Sequence, residues 1–282
     1  MPFDPHFLGV PAPMPEVGAT DAPTAVDPAT VLPDTVLLDT VQLDYVHFSV
    51  VLDRERRFAR VTGANVDGAS LVDLERGDDW RLDERIPADW QAGPEVYAAN
   101  DLDRGHLVRR RDPVWGPRAV AVRANSDTFH YTNAAPQAGG FNQSEELWLG
   151  LEDHVLAFAA DERLRLSVFT APVLGADDPP YRGIRIPLRF WKVVAWVREG
   201  ALATAGFVLD QSPVLDDTRL VQPPAPGAVP DLGPFRTFQA PVADIAAITG
   251  LSMPELVAAD RMPRTVAAAG WVPVRAPGDL LL

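Results

Sequence analysis

The chain has 282 residues, with 25 Lys and Arg against 39 Asp and Glu, a formal net charge of −14. Its 47% hydrophobic and 23% charged content excludes a disordered chain and leaves ample length to bury a core. The absence of cysteine excludes a disulfide framework, Cys-bound zinc, iron–sulfur clusters and thiol catalysis, and the acidic balance argues on its face against a polyanionic partner.

In chain order, residues 1–35 hold 8 of the 28 prolines, which favours an extended arm over helix or sheet. The arm's Phe3, Phe7, Leu8 and Val10 suggest a strap packed across the body, because a disordered tail would carry fewer apolar residues. Residues 41–52 (VQLDYVHFSVVL) are rich in β-branched and aromatic side chains and read as a strand. Residues 58–66 supply its hairpin partner after the charged turn DRERR. Residues 67–100 show weak periodicity and read as a long surface connection. Residues 118–125 read as a short helix or strand and 129–132 as a short strand. Leu147, Leu151, Val155 and Phe158 recur at near-helical spacing and predict an amphipathic helix over 144–160. Residues 164–173, 190–197 and 203–210 read as strands, 221–234 as a Pro-rich loop, and 241–250 as a short helix closed by Gly250. Strands and helices without regular alternation point to an α+β fold. The expected organisation is an acidic arm over 1–40, one domain over 41–260 and an extension over 261–282. No basic leader and no apolar stretch near 20 residues is visible, so the expectation is a cytoplasmic protein without a membrane partner.

The charge is unevenly placed. Residues 1–46 carry seven acids and no Lys or Arg, half of the net charge. Residues 101–125 carry six Arg against three Asp, and residues 182–198 carry four Arg and Lys192 with no acid. A charge run is usually a solvated face. Two basic segments in an acidic chain nevertheless invite convergence on a phosphate backbone.

The chemistry-bearing motif is Asp103-Arg104-Gly105-His106, which opens the basic segment. A neutral imidazole beside cations is well suited to take a proton near pH 7. The other histidines show no metal-ligand spacing, so zinc is not expected. Downstream follow TNAAPQ (132–137), FNQ (141–143) and WLGLE (148–152). This ordered series resembles the DNA/RNA non-specific endonucleases, the ββα-metal family that includes the Serratia nuclease and mitochondrial endonuclease G. The resemblance continues through 167–173, 186–194 and 238–251. It implies a ββα-metal fold with a central antiparallel sheet flanked by helices. It also implies a Mg²⁺-dependent hydrolase of DNA and RNA, with Mn²⁺ as substitute, leaving 5′-phosphates. On this resemblance His106 is the general base, Asn142 the metal ligand, Asn133 a neighbour orienting His106 or the phosphate, Arg104 a stabiliser of phosphate charge and Glu152 a holder of metal-bound water. Glu152 lies ten steps beyond Asn142, about 80° round an ideal helix, and Glu146 lies about 40° from it. An acidic first turn near a helix N-terminus accounts equally for Glu145 and Glu146.

Arg109 and Arg110, with Arg111, read as phosphate-tracking or packing groups. Lys192, the one lysine of the chain, resembles the lysine of the family's core strand and is assigned to substrate binding. The alternative reading is a non-catalytic nucleic-acid-binding or scaffold protein that retains the fold. The resemblance also makes a homodimer an expectation. A general nuclease in the cytoplasm needs restraint, by an inhibitor, by assembly or by conditional activation as in anti-phage defence, and the acidic arm is a candidate cover over the basic site.

Overall fold

A computed structural model of the chain describes residues 1–18, 24–25, 40–75, 77–138, 159, 163–212, 236–268 and 270–274. The strands are β1 (Thr24–Ala25), β2 (Thr40–Tyr45), β3 (Phe48–Asp53), β4 (Phe58–Asp67), β5 (Leu102–His106), β6 (Ala134–Ala138), β7 (Arg165–Val173), β8 (Pro180–Tyr181), β9 (Ile184–Arg185), β10 (Arg189–Arg198), β11 (Ala201–Asp210), β12 (Arg236–Ala240) and β13 (Val272–Pro273). The helices are α1 (Pro94–Tyr97), α2 (Arg118–Asp127), α3 (Val242–Thr249), α4 (Pro254–Ala258) and α5 (Arg264–Ala267). Nine strands form one sheet in the order β1-β2-β3-β4-β7-β10-β11-β12-β13. All of its pairings are antiparallel except the two-residue β1–β2 contact.

The middle of the sheet is apolar on both faces. On β10, Phe190, Val194 and Trp196 join one buried cluster, while Trp191, Val193 and Ala195 join another. A strand buried on both faces reads as a continuous apolar run, which is why FWKVVAWV lacks the alternation of a half-exposed strand. The first face is covered by α1, by β5–β6 and by the connection before them, through Ile86, Ala92, Val96, Leu102, Leu107 and Val108. The second is covered by α3 and α4, through Val242, Ile245 and Leu256. Gly250, at φ 70°, closes α3 in the left-handed conformation that a Cβ would resist.

The N-terminal segment packs on this second face. Phe3, Leu8 and Met14 lie against its cluster, and Phe3 meets the Phe169 ring edge-on at 5.4 Å. The strap is pinned by backbone pairing of Glu16 with Ser252 and by the Asp4 amide donating to Asn65 Oδ1 at 2.7 Å. Phe3, Leu8 and Met14 are thus on the side of the sheet away from β5, while Phe7 reaches the Trp115 ring at 5.4 Å. The arm's acidic residues beyond Glu16 and before β2 lie outside the described residues.

Two local readings change. Residues 67–100 are more than a surface connection, because Asp83, Ile86, Gln91, Ala92 and Val96 are buried. Residues 129–132 form no strand; a 3₁₀ turn at Tyr131–Asn133 leads into β6. Pro136 hid β6 from a propensity reading, and it is tolerated because β5–β6 is a two-stranded ribbon in which it needs no partner for a missing N–H. The helix expected over 144–160 and the loop over 221–234 lie outside the described residues, apart from Ala159, which is helical.

Phe3→Ala should lower stability by about 2 kcal/mol, since a partly buried ring is removed from an apolar contact. Denaturant unfolding measures this, and an unchanged midpoint would mean that the strap contributes nothing to the fold.

Candidate active site

The DRGH motif is the C-terminal part of β5. Its register with β6 pairs Asp103 with Gln137, Gly105 with Ala135 and His106 with Ala134. Alternation along a strand puts Arg104 and His106 on one face of the ribbon and Asp103 and Gly105 on the other. On that second face Gln137 is 1% exposed and lies against Gly105. A Cβ at position 105 would fall inside the Gln137 side chain, which is the physical reason for glycine within the motif.

On the other face, His106 is half-buried between two aromatic rings. Trp80 lies 4.6 Å from the imidazole, tilted by 49°, and Phe129 meets it edge-on at 5.1 Å. The Arg104 guanidinium sits over the same Trp80 ring at 5.5 Å, a cation–π arrangement, and 3.7 Å from the Asp78 carboxylate. Trp80 therefore ties the cation and the imidazole into one surface. The sequence gives little warning of Trp80, which lies in the weakly periodic connection. Its only signal is an aromatic residue among charges.

Asn133 adjoins His106 through the backbone. Its Oδ1 accepts from the Val108 amide at 2.8 Å, and its Nδ2 donates to the carbonyls of Val108 (2.9 Å) and Thr128 (3.0 Å). The Leu107 amide donates to the Asn133 carbonyl at 2.9 Å. The side chain is fully buried and spends its amide on backbone, so it clamps the chain just after His106 and does not reach toward a phosphate.

A polar network carries this clamp. The Tyr45 hydroxyl lies 2.6 Å from both Asp83 Oδ2 and Thr132 Oγ1, and Arg85 donates to both Asp83 oxygens. Burial alone would raise the Asp83 carboxyl, but the hydrogen bonds from Arg85 and Tyr45 outweigh it and hold the group at about 2. Burial pushes the Tyr45 phenol well above its ordinary value, and the neighbouring Asp83 charge adds to that. His130, 5.0 Å from the Tyr45 ring, is lowered by burial and stays neutral near pH 7.

The remaining expected residues disperse. Arg110 donates to the Leu74 carbonyl at 3.0 Å and to Asn125 Oδ1 at 3.3 Å, so it is a packing group joining the 70s segment to α2. Arg109 is 9% exposed. Lys192 is 1% exposed in the middle of β10, between Thr170 of β7 and Phe207 of β11. It is an interior cation on the sheet face turned toward the β5–β6 ribbon. Asn142, Glu145, Glu146 and Glu152 lie outside the described residues. Among the described residues no three His, Asp or Glu side chains converge as metal ligands, and no helix is long and apolar enough to cross a membrane.

The model of the DNA/RNA non-specific endonuclease family matches residues 31–260. The protein y4fB of Sinorhizobium fredii is 44% identical over 226 residues, covering 76% of this chain and 34% of that protein. A nuclease of a Nostoc species is 26% identical over 64% of this chain and 61% of its own length. Nuclease 1, mitochondrial, of Schizosaccharomyces pombe is 25% identical over 72% of this chain and 62% of its own length. The chain therefore spans less than two thirds of each of these relatives. A crystal structure of the EndoG/EndoGI complex matches with a TM-score of 0.55 and 21% identity, covering 75% of this chain and 84% of that one, and shares the ββα-metal fold.

A carboxyl held below its unfolded value stabilises the fold above about pH 4 and loses that contribution as the pH falls toward 2. Asp83→Asn should cost about 2 kcal/mol at pH 7, with the gap to the parent protein closing between pH 4 and 2. Unfolding at three pH values checks it, and a gap that persists at pH 2 would assign the loss to something other than the charge. With its family model matched across most of its length and its motif strand built as described, the chain belongs to the DNA/RNA non-specific endonuclease family.

Proposed function

We propose that the chain is a Mg²⁺-dependent, sequence-tolerant endonuclease that hydrolyses phosphodiester bonds of DNA and RNA, leaving 5′-phosphate and 3′-hydroxyl ends. The observation that carries this reading is the placement of Arg104 and His106 on one ribbon face, joined by Trp80. The His106 imidazole takes a proton from water as the water oxygen attacks phosphorus, and the bond to the 3′-oxygen breaks. Arg104 faces the phosphate. Its ion pair with Asp78 is exposed and weak, so a phosphate oxygen can displace the carboxylate. Asn133 acts as a positioning residue by fixing the turn after His106. A neutral amide oxygen is a hard donor that suits Mg²⁺ with most of its waters retained, so Asn142 would hold the ion and Glu152 one of its waters. The bound ion supplies neutralisation of phosphate and leaving-group charge, and Mn²⁺ is the expected substitute.

The relatives named as nucleases and the family match support this reading. In the EndoG/EndoGI complex EndoG is inhibited, and by analogy a protein inhibitor is proposed as a partner here, with a homodimer as the second proposed association. His106→Ala should lower cleavage of plasmid and of RNA by at least a factor of about 100 with an unchanged thermal midpoint, and EDTA should silence the parent protein until Mg²⁺ is restored. A His106→Ala protein that cleaves as well as the parent would sink the mechanism. Duplex binding without cleavage in Mg²⁺ or Mn²⁺ would favour the non-catalytic alternative.

A further inference from the structure

The hairpin β8–β9, at the start of the second basic segment, meets the Asp53–Arg57 turn, about 125 residues earlier. Between them lies a recess of about 450 Å³ whose walls include Arg56, Tyr181, Arg182 and Arg185, with Glu55 as the one carboxylate of the lining. Arg57 stands just behind, its Nη1 3.8 Å from where a Cβ on Gly183 would be. We propose that this recess is an accessory site for the phosphodiester backbone of the nucleic-acid substrate, a proposal that rests on the nuclease reading above.

The arginines are anchored from behind. Arg182 donates through Nη1 to the carbonyls of Glu95 and Ala98, and Arg185 through Nη1 to those of Ala176 and Asp178. Both side chains are on exposed residues, and each guanidinium keeps three further N–H donors beyond Nη1. Arg56 is held by buried Asp178 and by the Gly175 carbonyl. Cations immobilised by backbone carbonyls lose little freedom when a phosphate arrives. The Arg182 guanidinium also lies 5.1 Å over the Tyr181 ring.

Backbone conformation is a second mark of the site. The two-residue turn Arg182-Gly183 has φ of 45° and 80°, both positive as a type I′ hairpin requires. Asn, Asp or Gly ordinarily fills the first of these positions, and an arginine there costs about 1 kcal/mol. Arg57 (φ 64°), just behind the recess, and Ala99 (φ 52°), next to the Ala98 carbonyl that Arg182 binds, are also left-handed. Such conformations persist where the surroundings hold them in place.

The recess is tied to the motif strand. The Tyr181 hydroxyl accepts from Asn100 Nδ2 at 2.8 Å, and Asn100 Oδ1 accepts from the amide of Leu102, the first residue of β5. His106 is four residue steps further along that strand, about 13 Å at ~3.3 Å per residue. Ile184 and Leu102 belong to the same buried cluster, which places recess and motif in the layer on one face of the sheet. Because the recess joins β5 at its first residue through Asn100 and His106 is its last, the ligand class is a polymer long enough to reach both places.

The test compares the parent protein with Arg182→Ala/Arg185→Ala, with Arg185→Glu and with Arg264→Ala, an exposed arginine outside the recess. Arg182 also holds the carbonyls around α1, so Arg185→Glu keeps the test decisive if the double variant melts early. Binding of a duplex of about 30 base pairs is read by fluorescence anisotropy in EDTA between about 50 and 200 mM salt, and KM is read in Mg²⁺. The double variant should weaken binding by about three- to tenfold and flatten the log–log salt slope by about two, one for each phosphate that the arginines no longer neutralise. KM should rise in step, while Arg264→Ala follows the parent. Recess variants with the parent's Kd and salt slope would overturn the proposal. A parent protein that binds duplex without cleaving it, and weakens in the recess variants, would uphold the recess and overturn the nuclease reading. A parent that neither binds nor cleaves would overturn both.

Discussion

A sheet whose central strands are apolar on both faces cannot stand alone in water, and the rest of this molecule is arranged to cover it. On β10 the side chains of Phe190, Val194 and Trp196 need one layer and those of Trp191, Val193 and Ala195 need another. Short helices and the N-terminal strap supply the second layer, and they carry no part of the motif strand. The first layer is built from irregular chain, one turn of helix and the β5–β6 ribbon. The cover on that side thus doubles as the frame of the site, and Leu102, Leu107 and Val108 bury apolar surface in the same stretch that carries Arg104 and His106.

Precision in the frame comes from amides and glycine. Asn133 joins the end of β5 to the segment before β6 with three hydrogen bonds, and Gln137 fills the space that Gly105 leaves empty. Beneath them, Tyr45, Asp83, Arg85 and Thr132 form a network in which the Asp83 charge is retained because Tyr45 and Arg85 both hydrogen-bond it, while Thr132 bonds the Tyr45 hydroxyl. The outer face is left to Arg104, Trp80 and His106. Rigid backbone below and exchangeable polar contacts above is an arrangement in which a phosphate can displace Asp78 without disturbing the fold.

The net charge of −14 is a poor guide to partners in this chain. Many arginines are consumed internally: Arg85 by Asp83, Arg110 by backbone and Asn125, and Arg56 by Asp178. At the β8–β9 hairpin, Arg182 and Arg185 are exposed and bonded to backbone carbonyls, a local concentration of cations that the total conceals. On the proposed function, a modest local field would favour release of product as well as capture of substrate.

The family and the strands that carry it are legible in the amino-acid order. The ordered motifs DRGH, TNAAPQ, FNQ and WLGLE suffice for the first, and β-branched runs such as 41–52 and 190–197 for the second. The pattern also places α3 and its closing glycine. The use of each polar side chain is not legible there, because it depends on which distant backbone groups lie within reach. Asn133 reads as a neighbour orienting His106 or the phosphate, and only the fold shows that its amide is spent on the backbone of Val108 and Thr128. Lys192 reads as a substrate contact and lies in the sheet interior. Trp80 shows in the sequence only as an aromatic residue among charges, and the tertiary fold sets it against both Arg104 and His106. Local pattern reports burial and periodicity, whereas hydrogen-bond partners and charge convergence are set by contacts between segments far apart in the chain, and only the folded structure brings those together.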